Sequence, residues 1–166
     1  MRTFLKILAI LALIVTIAAA GAVLYALETR FPEVQVVYAK HEPAEDNRDH
    51  FDVFAAALAE STYGGRIFTE ETVLDEKECN FLQCTLRLTN RCLFPMEWIQ
   101  VELEPGEADI LESRDENAHV LGAGASGDMS LEFLTGCNTF PVERTVKVIY
   151  YLIGRPMEKT VQVIWD

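Results

Sequence analysis

Four cysteines, at positions 79, 84, 92 and 137, are spaced C-x4-C-x7-C-x44-C, and that spacing limits their chemistry. A structural zinc site takes paired knuckles of closely spaced Cys with further Cys or His nearby. No such pair is present, and His119 stands alone. A dithiol redox centre takes C-x-x-C opening a helix, a pattern the chain lacks. Structural roles remain, as disulfides or as buried thiols. Four cysteines allow three complete pairings. Cys79 and Cys92 flank the alternating run Phe81–Thr89. A strand rises about 3.3 Å per residue, so these two lie too far apart for a bridge whose Cα atoms must come within roughly 7 Å. Cys84 alternates with Leu82, Leu86 and Leu88, which makes it a core-facing thiol.

The remaining reactive groups are sparse. Asp46, Asp49, His50 and Asp52 cluster in EDNRDHFD. An EF-hand loop needs glycine at its sixth position and glutamate at its twelfth. Counted from Asp46, those positions are Phe51 and Ala57, so the stretch reads as a solvated linker and helix cap. Ser126 in GAGASGD lacks the G-x-S-x-G frame of a hydrolase elbow and sits instead in a strand-to-strand turn. Gly122-Ala123-Gly124 has no helix after it, as a nucleotide-binding loop requires. No pair of convergent reactive groups can be named. The reading is therefore non-enzymatic, with no catalytic residue, no cofactor and no metal.

What holds these residues begins with Ile7–Leu27, ILAILALIVTIAAAGAVLYAL. As a helix it spans about 31 Å, at about 1.5 Å per residue, which matches a hydrocarbon core of about 30 Å. Arg2 and Lys6 precede it, and Glu28, Arg30 and Glu33 follow. The positive-inside rule then sets a cytoplasmic N-terminus and an extracytoplasmic remainder, a single-pass protein of the cell membrane. The alternative is a cleaved signal peptide, with small residues at Ala18–Ala22 for the cut. The apolar run continues past them through Val23, Leu24, Tyr25 and Leu27, which favours the anchor. No cysteine follows closely enough to suggest a lipoprotein. All 26 acidic residues follow Leu27, against 12 of the 14 basic ones, so the exported part carries a net charge of −14. Such a surface repels phosphate backbones and excludes nucleic acid as a partner.

Residues 28–50 read as a juxtamembrane neck, with a short strand around Val34–Tyr38 and then an acidic, Pro-containing linker. Phe51, Phe54, Ala55 and Leu58 recur at helical spacing, an amphipathic helix that Gly64-Gly65 can end. From Arg66 the period becomes two. RIFTEETVL, FLQCTLRLT, MEWIQVELEP, ADILES, AHVLGA, DMSLEFLTG, ERTVKVIYYLIG and KTVQVIWD are separated by turn-forming residues. Seven to eight short strands without long intervening helices predict an all-β, antiparallel sandwich over residues 51–166, with the short helix attached.

The stretch LRLTNRCLFPMEWIQVELEP, followed by HVLGAGASGDMSLEFLTG, resembles immunoglobulin-like and fibronectin-III-like modules of bacterial envelope proteins. Leu86, Leu88 and Asn90 match the first strand of that pattern. Ile99, Val101 and Leu103 match the second, and Leu121, Gly124 and Ser126 the turn that opens a later strand. The whole chain also resembles membrane-anchored proteins of gut-type Firmicutes whose function is unassigned. The resemblance covers about residues 66–166 and brings no catalytic residues. An immunoglobulin-like order lays Met129–Leu134 antiparallel beside Phe81–Thr89. That implies Cys79–Cys137 as the bridge. The implied role is protein binding or envelope assembly, with another envelope protein as partner. A ligand-binding sensor domain is the alternative. Trp98 alternates outward from Ile99 and Val101, so it is either a partner contact or a seat for the amphipathic helix.

Overall fold

A computed structural model describes residues 2–29, 32–60, 65–70, 73–113 and 119–166. The apolar run is one helix, α1 (Arg2–Thr29). Within it Phe4–Tyr25 is long and apolar enough to cross a bilayer, and none of that span is buried against the rest of the chain. A helix apolar on all sides has no polar face to offer water.

Nine strands, among the described residues, form two antiparallel sheets. The larger runs, edge to edge, β1 (Glu33–Pro43), β3 (Asn80–Thr89), β7 (Ser126–Thr135), β5 (Asp109–Ser113) and β2 (Arg66–Ile67). The smaller runs β6 (His119–Leu121), β4 (Met96–Leu103), β8 (Val142–Leu152) and β9 (Arg155–Trp165). Period-two alternation supplies one apolar face to each sheet. Leu82, Cys84, Leu86 and Leu88 of β3 share a buried cluster with Ile99 and Leu103 of β4, Val146, Val148 and Tyr150 of β8, and Val163 and Trp165 of β9. Each such large side chain contributes about 1.5–3 kcal/mol on leaving water. The amphipathic helix, α2 (Arg48–Glu60), lays Phe51, Phe54 and Leu58 on the other face of the five-stranded sheet, over Phe81, Ile110 and Leu134.

The chain departs from the expected organisation in its first third. Residues 28–50 are not a free neck: Glu33–Pro43 pairs with β3 over its length, with a bulge between Val36 and Tyr38. Backbone pairing needs no apolar alternation, and an edge strand with an exposed face can be polar past Tyr38. The strand expected over RIFTEETVL shrinks to the two residues of β2, with residues 71–72 outside the described ones. Gly64 of the expected helix stop also lies outside them.

The registers sort the strand termini into two ends. At one end Glu33 pairs with Thr89, Thr89 with Ser126, and Met96 with Leu121 and Leu152. This is the end into which α1 leads. At the far end Pro43 pairs with Asn80, Asn80 with Thr135, and Thr135 with Asp109.

Candidate functional site

The far end carries a cleft of about 780 Å³ between α2, the segment Val73–Cys79 and the turn after β7. Its large apolar lining residues are Phe51, Val73, Leu74 and Ile110, and its charged lining is Asp52, Asp75, Glu76, Glu78 and Arg48. Local chemistry builds each wall. Asp75 caps a single 3₁₀ turn, Glu76–Glu78, by accepting the Lys77 N–H at 3.0 Å. The Ala44 N–H donates to the Cys79 carbonyl at 3.0 Å and ties this wall to the end of β1. Asn80 donates to the Cys137 carbonyl at 3.1 Å and to Asn138 Oδ1 at 2.7 Å, which sets the third wall. Arg48 Nε meets Glu76 Oε2 at 3.0 Å, so the one cation in the lining is already engaged. Beyond the Arg48–Glu76 pair, the exposed carboxylates of Asp52, Asp75 and Glu78 leave the cleft net negative. The Cys79 thiol at this wall is pushed up to about 11, by burial and then by Asp75 and Glu78.

The four cysteines are free thiols. The strand pairing behind the expected bridge is present, since β3 and β7 are antiparallel neighbours. The bridge itself is not formed. Asn80 pairs with Thr135, so Cys79 stands opposite Gly136, and Cys137 is one residue further on. One residue inverts the face in a strand. Cys79 accordingly packs with Phe81 in the cluster under α2, while Cys137 packs toward the inter-sheet core and its thiol reaches the Thr139 carbonyl at 3.6 Å. Cys84 is buried in the core, as its alternation predicts, and burial pushes it up to about 12.

Trp98 does not seat α2. It lies on the four-stranded sheet, on the opposite side of the molecule, and is 61% exposed. A bulge in β4 between Glu97 and Gln100 turns it outward, with φ at 51°. His50 turns away from the neighbouring aspartates and meets Glu132 Oε2 at 3.0 Å, whose other oxygen accepts from Gln83 at 2.5 Å. Its ring lies between Phe54 and Phe81, each 4.8 Å away between centroids, so it locks α2 to the sheet. Ser126 exchanges a hydroxyl hydrogen bond with Thr89 at 2.8 Å, a cross-strand pair at the start of β7. Among the described residues, no group of three His, Cys, Asp or Glu is placed to hold a metal ion.

No protein-family model matches the chain, and no curated protein matches it. Solved structures with a related β-rich fold do. One is YcdA of Bacillus subtilis, described as a candidate lipoprotein, at 9% identity and a TM-score of 0.45 over 81% of this chain and 37% of that one. The chain thus spans well under half the length of YcdA. A candidate ApaA protein from Bordetella pertussis aligns at 14% identity and a TM-score of 0.44, over 81% of this chain and 91% of that one. The GAE domain of yeast GGA1 aligns at 13% identity and a TM-score of 0.40, over 60% of this chain and 86% of that one. These are likenesses of architecture only.

Proposed function

We propose that the protein is a membrane-anchored, non-catalytic binding module, whose far end receives a positively charged segment of another envelope protein. The anchor is α1. The body is an immunoglobulin-like or fibronectin-III-like sandwich held outside the cytoplasm. The observation that carries the reading is the acidic cleft at the end opposite to α1, lined by Asp52, Asp75, Glu76 and Glu78. An anchored domain meets partners with the end that points away from the lipid. A concave surface rich in carboxylates favours Lys and Arg, and speeds their encounter, through long-range attraction. Raised thiol pKa values at Cys79 and Cys84 suit packing and not nucleophilic attack.

The test is site-specific photocrosslinking of the full chain in its native membranes, with the crosslinker at Asp75 and, as a control, at Thr160 on β9. The expected result is an adduct specific to Asp75. Its captured protein should then bind the purified full chain, more weakly at high salt and more weakly to Glu76→Lys. Equal adducts at both positions, or binding indifferent to salt and to Glu76→Lys, would overturn the proposal.

A further inference from the structure

The end into which α1 leads differs in character from the cleft. Three connections meet there: Asn90–Pro95, Gly122–Ala125 and the Ile153–Gly154 hairpin. Buried Asn90 joins the first two, donating to the carbonyls of Phe94 and Leu121, each at 2.9 Å. Together with Arg155 these connections hold two arginines, Arg91 and Arg155, and no carboxylate. Glu33 and Glu97 lie at the strand ends beside them, so this end is near neutral in a body of net charge −14. Arg91 is paired with Glu33 at 2.7 Å, at the point where the chain arrives from the helix. Lys159 adds a bond to the Pro32 carbonyl at 2.8 Å, so the first residues of β1 are fixed to this end.

The same end exposes large apolar side chains. Leu93 is 60% exposed, Trp98 61% and Ile153 53%, with Phe94, Val120 and Tyr151 beside them in sequence register. Two of them are held out against backbone preference. Trp98 and Ile153 both have φ of 51°, a region that costs an L-residue about 1–2 kcal/mol. Ile153-Gly154 occupies a hairpin turn where Asn-Gly or Asp-Gly is favoured. Chain length sets the distance to the bilayer. Tyr25 ends the apolar span, α1 continues to Thr29, and β1 begins at Glu33. At about 1.5 Å per helical residue and at most about 3.5 Å per extended one, this end lies within about 20 Å of the hydrocarbon boundary. The headgroup layer occupies several ångströms of that distance. Trp and Tyr are favoured at this depth, where a ring can be apolar on one side and wet on the other.

From the tether length, the near-neutral charge and the exposed apolar side chains together, we infer that this end of the sandwich rests on the lipid–water interface of the bilayer that its own helix spans. Trp98, Leu93 and Ile153 enter the headgroup region. The inference rests on α1 being a membrane anchor. Its consequence is a fixed posture: the body stands on the membrane with the acidic cleft outward, and does not swing on a free neck.

The chain holds two tryptophans, and Trp165 is buried in the core, so it serves as an internal reference. The full chain is reconstituted in vesicles of phosphatidylcholine and phosphatidylglycerol, with and without phosphatidylcholine brominated near the headgroup. Bromolipid should quench part of the tryptophan emission. That part should be lost in Trp98→Phe and diminished in Leu93→Asp, with the Trp165 emission of each variant unchanged. Flotation of the same vesicles reports the anchor separately. A protein that floats but shows equal quenching in wild type and Trp98→Phe overturns the docking and leaves the anchor standing. A protein that fails to float overturns both.

Discussion

The indole N–H of Trp165, on the last strand of the four-stranded sheet, donates to the main-chain carbonyl of Gln83 in the five-stranded sheet at 2.8 Å. Its ring meets Phe133 edge-on, with centroids 5.3 Å apart. One side chain thus crosses the core and fixes the spacing of the two sheets by a polar and an aromatic contact at once. Trp165→Phe keeps much of the packing and loses the N–H, and should cost about 1–3 kcal/mol. Trp165→Ala adds a large cavity and should cost about 3–5 kcal/mol. Urea unfolding measures both; equal, small losses would show that neither contact bears on stability.

Asn90 is fully buried and saturated: its amide donates to the carbonyls of Phe94, Leu121 and Gly122, and its oxygen accepts the Cys92 N–H at 2.8 Å. Asn90→Ala should cost about 2–3 kcal/mol, because partners inside the fold lose their bonds without gaining water. Asn90→Asp keeps the shape but points a carboxylate at carbonyl oxygens. It should be worse at neutral pH than at acid pH, where the carboxyl can donate. Thermal unfolding at the two conditions checks the order.

Glu112 is completely buried in β5, yet it has partners on all sides. Arg66 Nε donates to it at 2.6 Å, and the Leu103 N–H does so at 2.9 Å from the other sheet. Arg66→Met strands a charge in the interior and should cost about 3–5 kcal/mol. Adding Glu112→Gln should recover part of that, since a neutral amide oxygen still accepts from Leu103. A double variant no more stable than Arg66→Met in denaturant would refute this account of the pair.

The thiols should react in order of access. Cys137 is half-buried, whereas Cys79, Cys84 and Cys92 are buried. Ellman's reagent at neutral pH should modify Cys137 first and the other three only with denaturant. Burial raises Cys79 to about 11 and Cys84 to about 12, from an ordinary value of 9.0. In both cases folding favours the protonated form. Their contribution is therefore complete below about pH 9 and is lost as pH rises toward 11 and 12, because the unfolded chain can then ionise. Stability should be flat around neutral pH and decline above 9.0, and the decline should be shallower in Cys84→Ala.

Much of the sandwich is legible in the sequence because its inner strands obey period two. Leu82 to Leu88, Val146 to Leu152 and Val161 to Trp165 point where their alternation puts them. The edge strand β1 escaped beyond Tyr38 because Ala39–Pro43 is held by main-chain bonds and carries no apolar signature. Cys79 and Cys137 show the sensitivity of the other failure. Pairing of the right strands was readable, but a register one residue away sends the two thiols to different faces. The cleft was illegible for a different reason. Arg48, Asp75, Ile110 and Asn138 come from four distant segments, and only the strand order brings them together. At Trp98 the outward direction followed from alternation, but the bulge that makes Met96 and Ile99 both face inward did not.

β1 runs without interruption from Glu33, four residues past α1, to Pro43, where the chain turns through Ala44–Asn47 into α2 and the rim of the cleft. At about 3.3 Å per residue that is a rod of about 36 Å. A pull applied at Arg48 or Asp52 travels along covalent bonds through β1 to α1, and β3, paired with β1 along its length, splints the loaded strand. Under the proposed function, tension between a partner at the cleft and a membrane-held α1 is borne along β1 without any sheet having to open.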